Sequence, residues 1–144
     1  MSGYSGTPLA QKLGIKAGCR LFVQSAPANY LALLAPLPPQ VHAATRIGAT
    51  TDIIHVFVVQ RAALARALNS ALKRMRPDAA LWVSWPKRAS GVATDITEDT
   101  IRELALPLGL VDIKVCAVDE TWSGLKLVIR KSARPVAAKP ARAR

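Results

Sequence analysis

Basic and polar side chains follow two apolar runs at the points where those runs end. Gln60 and Arg61 come directly after the run 52–59, and Lys87 and Arg88 follow the run 80–85. Ligands of open parallel sheets bind beyond the carboxyl ends of the strands, and cations placed there suit phosphate or carboxylate groups. We therefore predict an anion-binding crevice with these candidate ligands: Ser25, Gln60, Arg61, Ser84, Lys87 and Arg88. The alternative is that they are ordinary loop residues facing solvent.

Arg61 carries a further argument for this crevice. It stands at the predicted start of a helix, where the helix dipole disfavours a positive charge. An anion bound beside Arg61 would relieve that repulsion. Lys87 follows Pro86, which stiffens its approach to the crevice.

The other titratable residues favour structural interpretations. His55 lies in the middle of an apolar run, and we interpret it as a core histidine bonded to a neighbour rather than as a catalytic base. Asp119 and Glu120 could act as an acid–base pair, but their place in a predicted turn is typical of solvated charges. His42 has no partner that the sequence indicates. We predict no catalytic residue, no metal site and no cofactor, since two histidines without clustered acids or cysteines make a poor ligand set.

Three tryptophans stand out in a chain with 5% aromatic residues. Trp82 and Trp85 point to opposite faces of one predicted strand, so at least one packs under a helix and the other could form the floor of the crevice. Trp122 lies in a predicted turn and is the better candidate for a contact with a partner protein.

The charge of the chain is concentrated at its end. The 144 residues carry a formal net charge of +11. Residues 130–144 hold six lysines and arginines and no acid, whereas residues 1–129 hold 14 basic and all nine acidic residues. The segment 132–144 is rich in Ala, Pro, Lys and Arg, and we predict a disordered basic tail. Its cations could bind nucleic acid by releasing counterions from phosphates, or could simply aid solubility: Arg134, Lys139, Arg142 and Arg144.

Length and composition fit one domain over residues 1–131, with a helical segment at 1–18. Hydrophobic residues make up 51% of the chain, which is enough for a real core. Cys19 and Cys116 are far apart, so a disulfide scaffold and a cysteine-rich zinc module are excluded. The start lacks the pattern of a secretory signal, and no apolar run approaches about 18 residues. We expect a soluble cytoplasmic protein.

The periodicity of the sequence predicts an α/β domain. Continuous β-branched residues at 52–59, a leucine stripe at 61–76 and a third apolar run at 80–85 indicate a βαβ unit in a parallel sheet. Thr97, followed by two acids, opens a second long helix. Alternating residues at 111–117 and 125–129 predict an antiparallel hairpin with its turn at 119–124. The remaining predicted elements are a helix at 8–13, a strand at 20–25, a helix at 29–35 and a weak strand at 44–50.

This order of elements resembles the second half of class I S-adenosylmethionine-dependent methyltransferases. The resemblance implies a small Rossmann-like, three-layer fold with a mostly parallel sheet and a C-terminal antiparallel hairpin. It also implies a glycine-rich turn after the first strand and a ribose-binding acid after the second. Here the turn is Ser25-Ala26-Pro27-Ala28-Asn29, without glycine, and 44–50 holds no acid.

A second resemblance covers about residues 3–130. Long motifs carry it, among them Leu81-Trp-Val-Ser-Trp-Pro-Lys87 and Lys114-Val-Cys-Ala-Val-Asp-Glu120 with Trp122-Ser-Gly124. They are similar to a bacterial family of small proteins that is defined only as a domain of unknown function. This resemblance implies no activity.

Three functional hypotheses remain open at this point. The first is a non-enzymatic, methyltransferase-like module that binds a small anionic ligand or a protein partner. The second is a divergent transferase that uses a nucleotide-like cofactor. The third is a nucleic-acid-associated protein that acts through its basic tail.

Overall fold

The computed structural model describes residues 7–133 and contains a six-stranded sheet in the order β2-β1-β3-β4-β6-β5. The strands are β1 (Arg20–Gln24), β2 (His42–Ala43), β3 (Ile53–Phe57), β4 (Ala80–Pro86), β5 (Leu110–Ala117) and β6 (Trp122–Ile129). The helices are α1 (Leu9–Leu13), α2 (Tyr30–Leu34), α3 (Arg61–Arg74) and α4 (Glu98–Ala105). Residues 134–144, which include all four candidate nucleic-acid cations of the tail, lie outside the described part.

The first four strands are parallel, and β6 pairs antiparallel with both β4 and β5. The predicted βαβ unit is β3-α3-β4, with β4 beside β3. The α/β class, the mostly parallel sheet and the C-terminal antiparallel hairpin are all confirmed.

Helices cover both faces of the sheet and so complete three layers. Helices α3 and α4 bury one face through residues such as Leu64, Leu68 and Ile101. The short helices α1 and α2 cover the other face, where the fully buried Trp82 donates its indole N–H to the carbonyl of Leu13 at 3.1 Å. Among the described residues, no helix is both long and apolar enough to cross a membrane.

Local sequence features set one end of each of the two long helices. Thr97 caps α4, and its side chain and that of Thr100 each accept a backbone N–H from the other residue. Such a reciprocal cap stabilises a helix by about 1 kcal/mol. Helix α3 ends at Arg74, two residues before the predicted end, because Met75 is already extended ahead of Pro77.

Two strands differ from their predicted bounds. The second strand is His42–Ala43, and the predicted strand at 44–50 is wrong: the chain turns there, Ile47 enters the core and the Gly48 N–H bonds the Thr51 hydroxyl. Strand β6 begins at Trp122, inside the predicted turn. The Asp119 carboxylate accepts the N–H groups of Thr121 and Trp122, which shortens the turn.

Strand β5 forms the edge of the sheet and does not keep a simple alternation. A bulge between Asp112 and Lys114 shifts its register against β6. Ile113 and Val115 are consequently more than half exposed. Lys114 and Cys116 instead align with β6 residues on the face of the sheet that α1 and α2 cover. We call this face the α1 side.

Candidate functional site

The carboxyl ends of β1, β3 and β4 meet at one edge of the sheet because these strands are parallel. Ser25, Gln60 and Lys87 each follow one of these strands, as predicted. Ser25 and Gln60 are exposed, and Gln60 caps α3 through its backbone. The three strand ends that were expected to form the crevice therefore lie along one edge of the sheet.

A cavity of about 450 Å³ opens at the carboxyl end of β4. Trp85, which is 7% exposed, and Pro86 form one wall, and Arg88 and the loop from Gly91 to Thr94 form another. Gly91 has a φ of +78°, a conformation that favours glycine, and it closes the tight turn Arg88–Ser90. The start of α4 completes the wall with Thr97 and Glu98.

Arg88 contributes a positively charged side chain to the wall of this cavity. Its side chain is exposed, and within residues 7–133 it makes no salt bridge. Glu98, the acid in the same wall, binds Arg102 at 2.9 Å. A cavity wall that holds both an aromatic ring and a guanidinium can bind an anionic ligand that also has an apolar part.

Arg61 does not contribute to the cavity in the way that the sequence suggested. Its backbone N–H donates to the Asp95 carboxylate at 2.6 Å, and its guanidinium binds Glu103 at 3.0 Å. The helix start is thus already served by carboxylates of the chain itself. The argument that Arg61 requires an external anion no longer applies.

Lys87 does not line the cavity that contains Arg88. Its backbone N–H donates to the Thr121 carbonyl at 2.7 Å. Burial raises the pKa of the Cys116 thiol, and the charges of Lys12, Lys114 and Lys87 act in the opposite direction. Lys87 therefore lies close enough to act on a thiol of the α1 side.

Ser84 belongs to the core and not to the crevice. Its hydroxyl lies 2.7 Å from Nε2 of His55, whose Nδ1 lies 2.8 Å from the Tyr30 hydroxyl. All three side chains are buried. Either neutral tautomer satisfies the ring, because each hydroxyl can donate to the bare ring nitrogen or accept from the protonated one.

Burial also sets the ionisation of this network. It lowers the pKa of the His55 imidazole from 6.5 to about 3 and raises the pKa of the Tyr30 hydroxyl well above its ordinary value. His55 is therefore neutral at physiological pH. Its interpretation as a core histidine is confirmed by the two hydrogen bonds.

Trp122 is only partly available for a partner. It is half-buried, and its ring meets Phe57 edge-on at 5.0 Å between centroids. The turn that was expected to expose it is shorter than predicted. A partner contact at Trp122 would use one edge of the ring.

Neither a protein-family model nor a curated protein sequence matches the chain. Solved structures do. An S-adenosylmethionine-dependent methyltransferase from Aquifex aeolicus superposes with a TM-score of 0.61 at 16% identity, over 84% of this chain and 87% of that one. A protein from Sulfolobus solfataricus assigned as a type 11 methyltransferase gives 0.61 at 11% identity, over 88% and 92%.

A third structure, fibrillarin from Aeropyrum pernix with bound S-adenosylmethionine, gives a TM-score of 0.55 at 14% identity, over 83% of this chain and 73% of that one. The fold is methyltransferase-like. Identities this low show the fold alone. The closer resemblance to a bacterial family of small proteins stays a prediction.

The residues at the usual cofactor position of this fold do not fit S-adenosylmethionine. Ser25 takes a φ of +60°, so the turn after β1 keeps a conformation that favours glycine while carrying a side chain. Asp52 is the only acid in the first 77 residues. It lies at the amino edge, where it binds Arg76 at 2.7 Å and accepts the Arg20 N–H. The segment 44–51 that follows β2 therefore offers no carboxylate of its own to a ribose.

Proposed function

We propose that the chain is a methyltransferase-like module that binds a small anionic ligand at the carboxyl end of β4 and does not transfer methyl groups. The observation that carries the proposal is the cavity of about 450 Å³ whose wall contains Trp85 and Arg88, a cation that makes no salt bridge within residues 7–133. It lies beyond a strand end of a parallel sheet, which is where ligands of such folds bind.

The chemistry of the wall favours a particular class of ligand. The guanidinium of Arg88 can bind a phosphate or carboxylate through two parallel hydrogen bonds. Trp85 is held by the core on one side, so its exposed edge offers a rigid apolar surface. Thr94 and Thr97 add hydroxyl groups, although each already takes part in local hydrogen bonds. A small organic phosphate or carboxylate fits these features.

A divergent transferase is the second candidate function, and the fold neighbours support it because those compared above are methyltransferases or bind S-adenosylmethionine. The turn at 25–29 and the position of Asp52 weigh against it. Titration calorimetry with S-adenosylmethionine distinguishes the two. We expect no dissociation constant in the low micromolar range, which corresponds to about −8 kcal/mol, and such a value would favour the transferase.

The anion site itself is tested by thermal unfolding in phosphate and in sodium chloride of equal ionic strength. Phosphate is expected to raise the melting temperature of the wild type, and Arg88→Ala is expected to abolish that gain. A charge-assisted hydrogen bond contributes about 1.5–3 kcal/mol, so the dissociation constant should rise roughly 10- to 150-fold.

Two control variants make the test specific. Arg66→Ala removes an exposed cation from α3 and should leave the phosphate effect intact. Lys87→Ala should also retain it, because Lys87 is not in the wall of the cavity. If all the proteins gain equally, phosphate acts only through general exclusion from the surface, and the proposed site does not exist.

A further inference from the structure

Two lysines face each other across the antiparallel pair β5–β6. Lys114 is the register partner of Lys126, and like charges directly opposite destabilise a sheet. Both belong to the α1 side: the Lys114 ammonium lies 3.5 Å from the Lys12 carbonyl, and Lys126 lines a cavity together with Leu13. Fold stability does not explain this pair.

Each of these two lysines lines a groove beside α1. The first, of about 430 Å³, lies between α1 and β5, and its wall contains Lys12 and Lys114 but no acid. The second, of about 410 Å³, contains Lys16 and Lys126. Asp52 and Asp78 also lie in the second groove, but Arg76 binds both, at 2.7 Å each.

The acids that form salt bridges are bound by arginines and not by these lysines. The salt bridges found within residues 7–133 are made by Arg61, Arg76 and Arg102. In the same part of the chain, Lys16, Lys114 and Lys126 form no salt bridge. On the α1 side these three lysines therefore keep positive charges that no salt bridge within the described residues takes up, while Arg76 binds the two carboxylates of the second groove.

From this arrangement we infer that the α1 side is a binding surface for the phosphodiester backbone of nucleic acid. The lysine surface consists of Lys12, Lys16, Lys114 and Lys126. Its charges are spread over two grooves on either side of a helix, which suits an extended polyanion better than one phosphate ion. Lysine binds phosphate as a point charge, and backbone contacts carry no sequence information. Binding is therefore expected to be independent of base sequence.

This surface is independent of the anion cavity at Arg88 and of the basic tail. The test is the salt dependence of binding to a labelled short DNA duplex, measured by fluorescence anisotropy with the full chain. Each phosphate contact contributes about 0.9 to the log–log slope. The double variant Lys114→Ala/Lys126→Ala should lower the slope by about 1.8 and weaken binding roughly eightfold per lysine at 0.1 M salt.

The matched control is Lys73→Ala/Arg74→Ala, which removes two exposed cations from α3 on the opposite face. It should leave the slope unchanged. Lys114→Arg/Lys126→Arg keeps both charges and should retain binding. Circular dichroism checks that all three variants fold. The Lys114→Ala/Lys126→Ala variant loses one long, exposed hydrogen bond to the Lys12 carbonyl but also the repulsion between the two lysines, so we expect it to fold.

Several results would overturn the inference. Equal losses in the Lys114/Lys126 and Lys73/Arg74 variants would show that only net charge matters. Absence of binding by the wild type, or a strong preference between two duplexes of unrelated sequence, would also contradict it. Loss of phosphate stabilisation in Arg88→Ala bears on the other site alone, so the two proposals can fail separately.

Discussion

Acid should destabilise this protein through one buried histidine. His55 is fully buried and bonded on both ring nitrogens, by Tyr30 and Ser84. Its folded-state pKa is about 3, against 6.5 for an exposed imidazole. Below pH 6.5 the imidazole of His55 binds a proton in the unfolded chain but stays neutral in the folded chain. Stability is therefore complete above pH 6.5 and is lost progressively as the pH falls toward 3.

The size of the effect follows from the two pKa values. Each pH unit between them costs about 1.4 kcal/mol. From pH 7.5 to pH 5.0 the unfolded histidine becomes almost fully protonated, while the folded one stays neutral. The free energy of unfolding should fall by about 2 kcal/mol over that interval.

Urea unfolding at the two pH values measures this loss. His55→Gln removes the titrating group, so its free energy of unfolding should change far less between pH 7.5 and 5.0, even if its absolute stability is lower. His42→Gln is the matched control because it removes the only other histidine, which lies exposed at β2. That variant should keep the full pH dependence.

Equal losses of stability in wild type and His55→Gln would refute the reasoning. If His55→Gln does not fold, nuclear magnetic resonance of the wild type gives the same answer. The His55 ring protons should not shift between pH 8 and pH 4.5, since a folded pKa of about 3 lies well below that range. A midpoint near 6 would show that water reaches the ring.

Two further predictions concern packing and the tail. Gly124→Ala places a Cβ 3.3 Å from the Trp82 ring and 3.4 Å from the Cys116 sulfur, so chemical denaturation should show that the free energy of unfolding falls by about 1–3 kcal/mol. The control Gly48→Ala, whose Cβ meets nothing within 4 Å, should not destabilise the protein. Deleting 132–144 removes Arg134, Lys139, Arg142 and Arg144, so the salt slope for duplex DNA should fall by up to about 3.6 with unchanged unfolding in urea, and an unchanged slope would assign binding wholly to the folded domain.

The sequence could predict those parts of the fold that depend on local pattern. The buried strands β3 and β4, the amphipathic helix α3 and the cap at Thr97 follow from periodicity and side-chain chemistry within a few residues. The strand predicted at 44–50 failed because a tertiary contact, the burial of Ile47, outweighs a weak local preference. The bulge in β5 was equally invisible, since it depends on the register against β6.

The sequence could predict which strand ends lie together but not which side chains line the cavity. Strand order places Ser25, Gln60 and Lys87 at one edge, as the parallel pattern implied. Which side chains face the cavity depends on partners distant in sequence. Arg61 binds Glu103, which is 42 residues away in the sequence, and Ser84 is hydrogen-bonded to His55, which is 29 residues away. Neither side chain is therefore available to the crevice. The opposition of Lys114 and Lys126 likewise requires the register of a bulged hairpin.

Tyr30 anchors the segment that follows β1 to the core of the domain. It opens α2 directly after the turn 25–29, and its buried ring packs on Phe57 with centroids 5.5 Å apart. Its hydroxyl is bonded to His55. The segment that follows β1 is therefore anchored to the core by a side chain, in a helix of five residues. Moving this segment would therefore break a buried hydrogen bond and a ring contact. The turn Arg88–Ser90 has no buried residue, so if the proposed ligand binds at the end of β4, that turn can adjust to it at a lower cost to the core than the segment after β1 could.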